Sequence, residues 1–169
     1  MRASAFAALA AVTVSMVMLT ACDQKKETET VTKQQQSTPL DAAANQKFLT
    51  DNGAKDGVIT RPSGLQYRVI TAGSGKGVSS GSDMVTVTYK GALITGKVFD
   101  QTAPGQTATF PAGRLIPGWV EALSLMKEGD EWQIVIPSEL GYGARGAGGD
   151  IPPNQTLVFD MKLVGVNAN

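Results

Sequence analysis

The residues able to do chemistry here are few, and the absent ones narrow the choice first. The chain of 169 residues has no histidine and a single cysteine, Cys22. Without histidine it cannot run a Ser-His-Asp or Cys-His relay, and it lacks the commonest metal ligand. One cysteine makes neither an intrachain disulfide nor a multi-cysteine zinc site. No metal and no cofactor are expected. What remain are aromatic and carboxylate side chains spread along the whole chain, with Tyr89, Phe99, Asp100, Trp119, Tyr142 and Phe159 among them. Singly, most have an ordinary explanation. Trp119 recurs at helical spacing with Leu123 and Met126, so it reads as a core residue. Tyr89, Phe99 and Phe159 are strand aromatics, more often core than site. Asp100 reads as a turn residue. Tyr142 stands between Gly141 and Gly143, where packing gives little reason for a large ring. The run Gly73-Ser74-Gly75-Lys76-Gly77 has the outline of a phosphate loop. Gly77 stands where that motif needs Ser or Thr, and no helix pattern follows.

Charge and composition say what these residues are mounted on. Lys and Arg number 15 and Asp and Glu number 15, so no broad basic surface is available to hold nucleic acid. Charged residues are sparse at 18% while glycines number 19, which suits a turn-rich, β-containing domain. All but two of those 19 glycines lie from Gly64 onward. That shift marks the globular domain, taken as residues 61–169.

The part before it reads as export and attachment. Residues 1–21 have the single charge Arg2 and an apolar run from Ala5 to Leu19, the pattern of a signal peptide. The end, Leu19-Thr20-Ala21-Cys22, resembles the lipobox of bacterial lipoproteins, in which the signal is removed and the cysteine lipidated. The lone cysteine falls at the position that motif needs. Residues 22–37 then hold Lys, Glu, Gln and Thr with one aliphatic residue, Val31, and read as a disordered tether of about 20 Å. Residues 38–60 read as a short helix and linker. Thr38 is the expected N-cap, Pro39 the first residue, and Gly53 the C-terminal cap. Leu40, Ala44, Phe48 and Leu49 form a narrow apolar face. At about three and a half turns the helix is marginal alone, so it is expected to lie on the domain as a spacer.

Within the domain, Leu65 to Ile70 reads as a strand. Met84 to Leu93 alternates, with Val85, Val87 and Tyr89 on one face. Thr107 to Phe110 is a short strand. Pro117-Gly118 opens a short amphipathic helix over Trp119 to Lys127, stopped by Gly129. Glu131 to Ile136 and Thr156 to Val166 alternate again. The sum is an α+β domain of about five antiparallel strands against one short helix. The Gly-rich stretch from Gly141 to Asp150, closed by Ile151-Pro152-Pro153, is a long connection of the kind that carries function.

Five segments, in order, resemble the FKBP-type peptidyl-prolyl isomerases. They are Val87-Thr88-Tyr89-Lys90-Gly91, Gly96-Lys97-Val98-Phe99-Asp100, Leu115-Ile116-Pro117-Gly118-Trp119, Gly141-Tyr142-Gly143, and Ile151 through Phe159. The residues from Phe48 to Tyr67 are further similar to the junction in the bacterial macrophage infectivity potentiator-like branch. Nearly all of that branch's long helical dimerisation arm is missing here. The resemblance implies a bent antiparallel sheet wrapped around a short helix, with an apolar pocket between them. It makes Tyr89, Phe99, Asp100, Tyr142 and Phe159 the catalytic set. Leu115, Ile116, Trp119 and Ile151 become substrate-binding residues. Trp119 would be the pocket floor, Asp100 a buried polar group, and the Ile116 N–H the holder of a substrate C=O. Ala108 stands where many members have a further pocket aromatic, and Ala147 where some have histidine.

The implied function is peptidyl-prolyl cis-trans isomerisation on exported, proline-containing polypeptides. It needs no acid, base or nucleophile, so the missing histidine costs it nothing. The alternatives are a holdase or proline-segment binding module on the same fold, and a purely structural lipoprotein. The implied setting is the bacterial cell envelope, lipid-anchored through Cys22, with a monomeric domain in the periplasm. Macrolides are possible inhibitors.

Overall fold

A computed structural model of the chain describes residues 40–168. The signal segment, Cys22, the tether, Thr38 and Pro39 lie outside the described residues. Helix α1 spans Ala42–Gly53. It starts later than the sequence suggests. Asp41 is extended (φ −76°, ψ 170°), and its carboxylate accepts the Ala44 N–H at 2.7 Å. Asp caps as well as Thr, so the later start keeps an orphan N–H satisfied. Ala54, not Gly53, is the C-terminal cap. The expected apolar face is also only partial. Phe48 and Leu49 are half-buried, whereas the buried residues of α1 are Asn45 and Asn52. No helix of the described residues is long and apolar enough to cross a membrane.

Seven strands follow, two more than expected. They are β1 (Ile59–Thr60), β2 (Gln66–Thr71), β3 (Met84–Leu93), β4 (Val98–Gln101), β5 (Ala108–Pro111), β6 (Glu131–Ile136) and β7 (Leu157–Asn167). Helix α2 (Pro117–Leu125) lies between β5 and β6, with Pro117 opening it. The strands form one sheet in the order β1-β2-β6-β7-β3-β4, with β5 also on β3. All pairings are antiparallel. The additional strands are β1 and β4. β1 has only two residues, and β4 carries no apolar alternation: Val98, Asp100 and Gln101 are exposed.

The core follows from alternation. Val85 and Val87 of β3, Ile134 of β6, and Leu157, Met161 and Leu163 of β7 are 0–1% exposed. Ala122 and Leu123 of α2 are fully buried in the same cluster. Fully burying a Val or Leu side chain is worth about 1.5–3 kcal/mol, so this contact fixes α2 on one face of the sheet.

One feature of β3 positions everything below. β7 pairs along its whole length, from Met84 to Leu93. The opposite edge is shared: β5 pairs with Met84 to Val87, and β4 with Lys90 to Ala92. Tyr89 falls between the two. Its C=O accepts the Thr102 N–H at 3.0 Å, and its N–H donates to Thr102 Oγ1 at 3.2 Å.

Candidate active site

A cavity of about 180 Å³ opens at that gap. Its lining draws on every neighbouring element. β3 supplies Tyr89, β4 supplies Phe99 and Asp100, β5 supplies Phe110, and β7 supplies Phe159. Leu115 and Ile116 precede α2, and Trp119 lies in its first turn. Tyr142 comes from the loop after β6.

The rings meet edge to face. Trp119 is 5% exposed and stands at 83° to Tyr89, at 5.0 Å between ring centres. It stands at 84° to Phe159 at 5.2 Å, and at 81° to Phe110 at 6.3 Å. Phe99 meets Phe159 at 85° and 5.6 Å. Each such pair is worth about 0.5–1.5 kcal/mol beyond its buried area. Gly91 permits the last of them. A Cβ there would lie 2.6 Å from Phe159 Cε1 and 2.7 Å from Phe99 Cζ. The glycine leaves room for two rings to cross over the strand.

Polar groups gather at the rim. The Tyr89 hydroxyl donates to Asp100 Oδ2 at 2.6 Å, a short charge-assisted bond. Burial raises the Tyr89 phenol far above its ordinary value, and the bond to Asp100 and that residue's charge push the same way. Burial also raises the Tyr142 phenol, with the Asp100 charge adding to it. Both phenols stay protonated at neutral pH; Tyr89 donates to Asp100, and the Tyr142 hydroxyl is available as a donor. Asp100 itself is exposed, which corrects the expectation of a buried carboxylate. It is the third residue of a four-residue strand in which Val98, Asp100 and Gln101 are all exposed.

The structure brings together Tyr89, Phe99, Asp100, Tyr142, Phe159, Leu115, Ile116 and Trp119. Ile151 is the exception. It is 7% exposed, sits in the hydrophobic core and bridges to Ala147, but does not line the cavity. Phe110 lines the cavity in addition. Its signal was present in the sequence: it alternates with Ala108 on a short strand. The register then pairs Phe110 with Val85, and so on the Tyr89 face of β3. Among the described residues no group accepts from the Ile116 N–H.

This is an apolar cavity with protonated phenols and one carboxylate at its mouth. It has no activated nucleophile and no base relayed to one. It can hold an apolar ring and orient carbonyls beside it.

Comparison with known proteins agrees with this geometry. The family model described as FKBP-type peptidyl-prolyl cis-trans isomerase matches residues 75–164. A second, the domain amino terminal to FKBP-type peptidyl-prolyl isomerase, matches residues 4–69. The FKBP-type 22 kDa peptidyl-prolyl cis-trans isomerase of Escherichia coli K12 is 50% identical over 124 residues, 73% of this chain and 60% of that protein. The outer membrane protein MIP of Legionella longbeachae is 48% identical over 125 residues, 73% of this chain and 53% of that protein. Among solved structures, a peptidyl-prolyl cis-trans isomerase of Pseudomonas syringae superposes with a TM-score of 0.70 at 37% identity, covering 75% of this chain and 92% of that one. FkpA of Escherichia coli superposes with a TM-score of 0.70 at 43% identity, covering 74% and 58%. The chain thus spans 53–60% of the length of the two curated relatives. With its aromatic cavity, its sheet and its motifs in agreement, the chain belongs to the FKBP-type peptidyl-prolyl cis-trans isomerase family.

Proposed function

We propose that this chain is a peptidyl-prolyl cis-trans isomerase acting on proline-containing segments of exported polypeptides. The observation that carries the reading is the cavity walled by aromatic rings, with the Tyr89–Asp100 pair and Tyr142 in its lining. At about 180 Å³ it is smaller than the roughly 300–1,000 Å³ of sites for drug-sized ligands. It suits a single proline ring, with the flanking chain over the rim. A macrolide inhibitor would seat one ring there and lie across the same rim.

The chemistry follows from the amide. Rotation about the X-Pro bond costs about 20 kcal/mol, because it breaks C–N resonance. No bond is made or cleaved. The planar amide separates charge and is stabilised by water; the twisted amide separates less. Transfer into the ring-lined cavity therefore disfavours the planar form relative to the twisted one, which is complementarity to the transition state. The roles divide by position. Trp119, Phe159, Phe99 and Leu115 exclude water around the proline ring. The Ile116 N–H and the Tyr142 hydroxyl hold substrate carbonyls. Asp100 takes the Tyr89 hydroxyl and fixes that ring against Trp119. None of these groups transfers a proton.

The setting proposed is the bacterial cell envelope. Cys22 carries the lipid, the residues after it form the tether, and the domain works as a monomer. Uncatalysed prolyl isomerisation takes tens of seconds and limits folding, so an isomerase there has work to do. The test is a protease-coupled or refolding assay on the chain, with Asp100→Ala and Phe159→Ala alongside. Acceleration that both substitutions reduce is the expected result. Rates equal to the uncatalysed reaction, together with suppressed aggregation, would replace the isomerase with a holdase. Mass spectrometry of the mature N-terminus tests the anchor: an unmodified Cys22 would refute it. Sedimentation at micromolar concentration giving a dimer would refute the monomer.

A further inference from the structure

The loop that brings Tyr142 to the cavity has unequal attachments. On its outer side the Lys97 ammonium meets Asp150 at 3.0 Å, with both side chains more than half exposed. Such an exposed pair contributes little. At its base the loop is tied far more firmly, and to α1. The Thr156 N–H donates to Asn45 Oδ1 at 2.8 Å. Asn45 Nδ2 donates to Gln155 Oε1 at 3.3 Å and back to Asp41 O at 2.9 Å. Gln155 Nε2 donates to Leu40 O and Pro153 O, each at 2.9 Å. Asn45, Gln155 and Thr156 are 5%, 4% and 1% exposed. These side chains are out of water, and an orphaned partner there costs its full desolvation.

The clamp leads directly to the site. The Asn154 N–H, next to Gln155, donates to Gly143 O at 2.8 Å, and Gly143 follows Tyr142. The loop between is a tight one. Gly146 has φ +63°, and a Cβ on it would fall 2.2 Å from Ile151 O. Such a turn transmits a shift at its base rather than absorbing it. The helix has a second clamp that does not touch the loop. Asn52 Nδ2 donates to Gln66 Oε1 at 2.9 Å, and Gln66 Nε2 donates to Leu49 O at 2.8 Å. That one ties α1 to β2.

We propose that α1 is more than a spacer: through Asn45 it sets the position of the Tyr142 loop, with Asn45 and Gln155 as positioning residues. The proposal rests on the isomerase reading only for its effect on rate. The Asn52 clamp provides the control, because breaking it loosens the same helix without touching the loop.

Amide hydrogen exchange and isomerase kinetics on the full chain test this. Asn45→Ala is expected to raise exchange of the Asn154 amide about tenfold over Asn52→Ala, the equivalent of one lost buried bond. It is also expected to raise KM severalfold, and to add nothing once Tyr142→Ala is present, since it acts through that ring. Equal Asn154 exchange in Asn45→Ala and Asn52→Ala would overturn the proposal. So would additive losses with Tyr142→Ala. Should Asn45→Ala not fold, Gln155→Ala decides by the same comparison. A wild-type chain without turnover would end the isomerase reading and leave the exchange result to judge this one.

Discussion

Two tryptophans of this domain are equally buried, at 5% exposure, yet Trp119 lines the aromatic cavity and Trp132 does not. Trp132 on β6 lies flat against Tyr67 on β2, with ring centres 4.3 Å apart and planes 9° apart. Trp119 on α2 meets three rings near right angles, at 81–84°. Parallel rings fill the space between them. Rings set on edge form walls and leave a concavity. Burial does not separate the aromatic that lines the cavity from the one that only packs; the angle at which each meets its neighbours does.

The largest effects should come from deleting each tryptophan. Trp119→Ala and Trp132→Ala should each cost about 3–5 kcal/mol of stability, read from denaturant unfolding. They should then part company. Isomerase rate per folded molecule should collapse in Trp119→Ala and stay near wild type in Trp132→Ala. Comparable losses in both would erase the distinction.

Gly91→Ala sharpens it next. The added methyl meets Phe159 and Phe99 at under 3 Å, so one ring must rotate off its edge-on pose. Overpacking of this kind costs about 1–3 kcal/mol. The measurable sign is a rise in KM at temperatures where the variant is fully folded. An unchanged KM would show that the Phe99 ring angle does not matter.

Asp100→Ala removes a rim group and no core. Because Asp100 is exposed, the thermal midpoint should barely move. Loss of the Tyr89 bond should lower kcat/KM about tenfold, as for a hydrogen bond to a charged group. A midpoint shift as large as that of Gly91→Ala would make Asp100 structural.

The smallest effect expected is that of pH. With no histidine in the chain and both cavity phenols raised, kcat/KM should be flat between about pH 6 and 9. Tyr89 and Tyr142 are both held above their ordinary value of about 10. A raised phenol stabilises the fold below its unfolded value. That contribution is lost as pH rises from about 10 toward the folded value. A bell-shaped profile centred near pH 7 would contradict the account.

Much of this was legible in the residues themselves. Met84 to Leu93 and Glu131 to Ile136 announce their strands because each has one buried face, and alternation records that. β4 does not announce itself, because it is exposed along most of its length and its role is to carry Phe99 and Asp100. Its place came from the family motif. Asp100 was misjudged for the same reason: a motif gives identity but not exposure. The same motif implies a cavity wall position for Ile151, whereas the structure buries it in the core. α1 was read by its apolar residues. It is held by amides, Asn45 and Asn52, whose partners lie far along the chain and leave no local periodicity.

The central claim is that this cavity turns an X-Pro bond without moving a proton. Prolyl isomerisation catalysed by the chain, compared in H2O and D2O, tests it most directly. Acceleration over the uncatalysed reaction with a solvent isotope ratio near unity is the expected result. No acceleration, or a ratio well above unity, would contradict it.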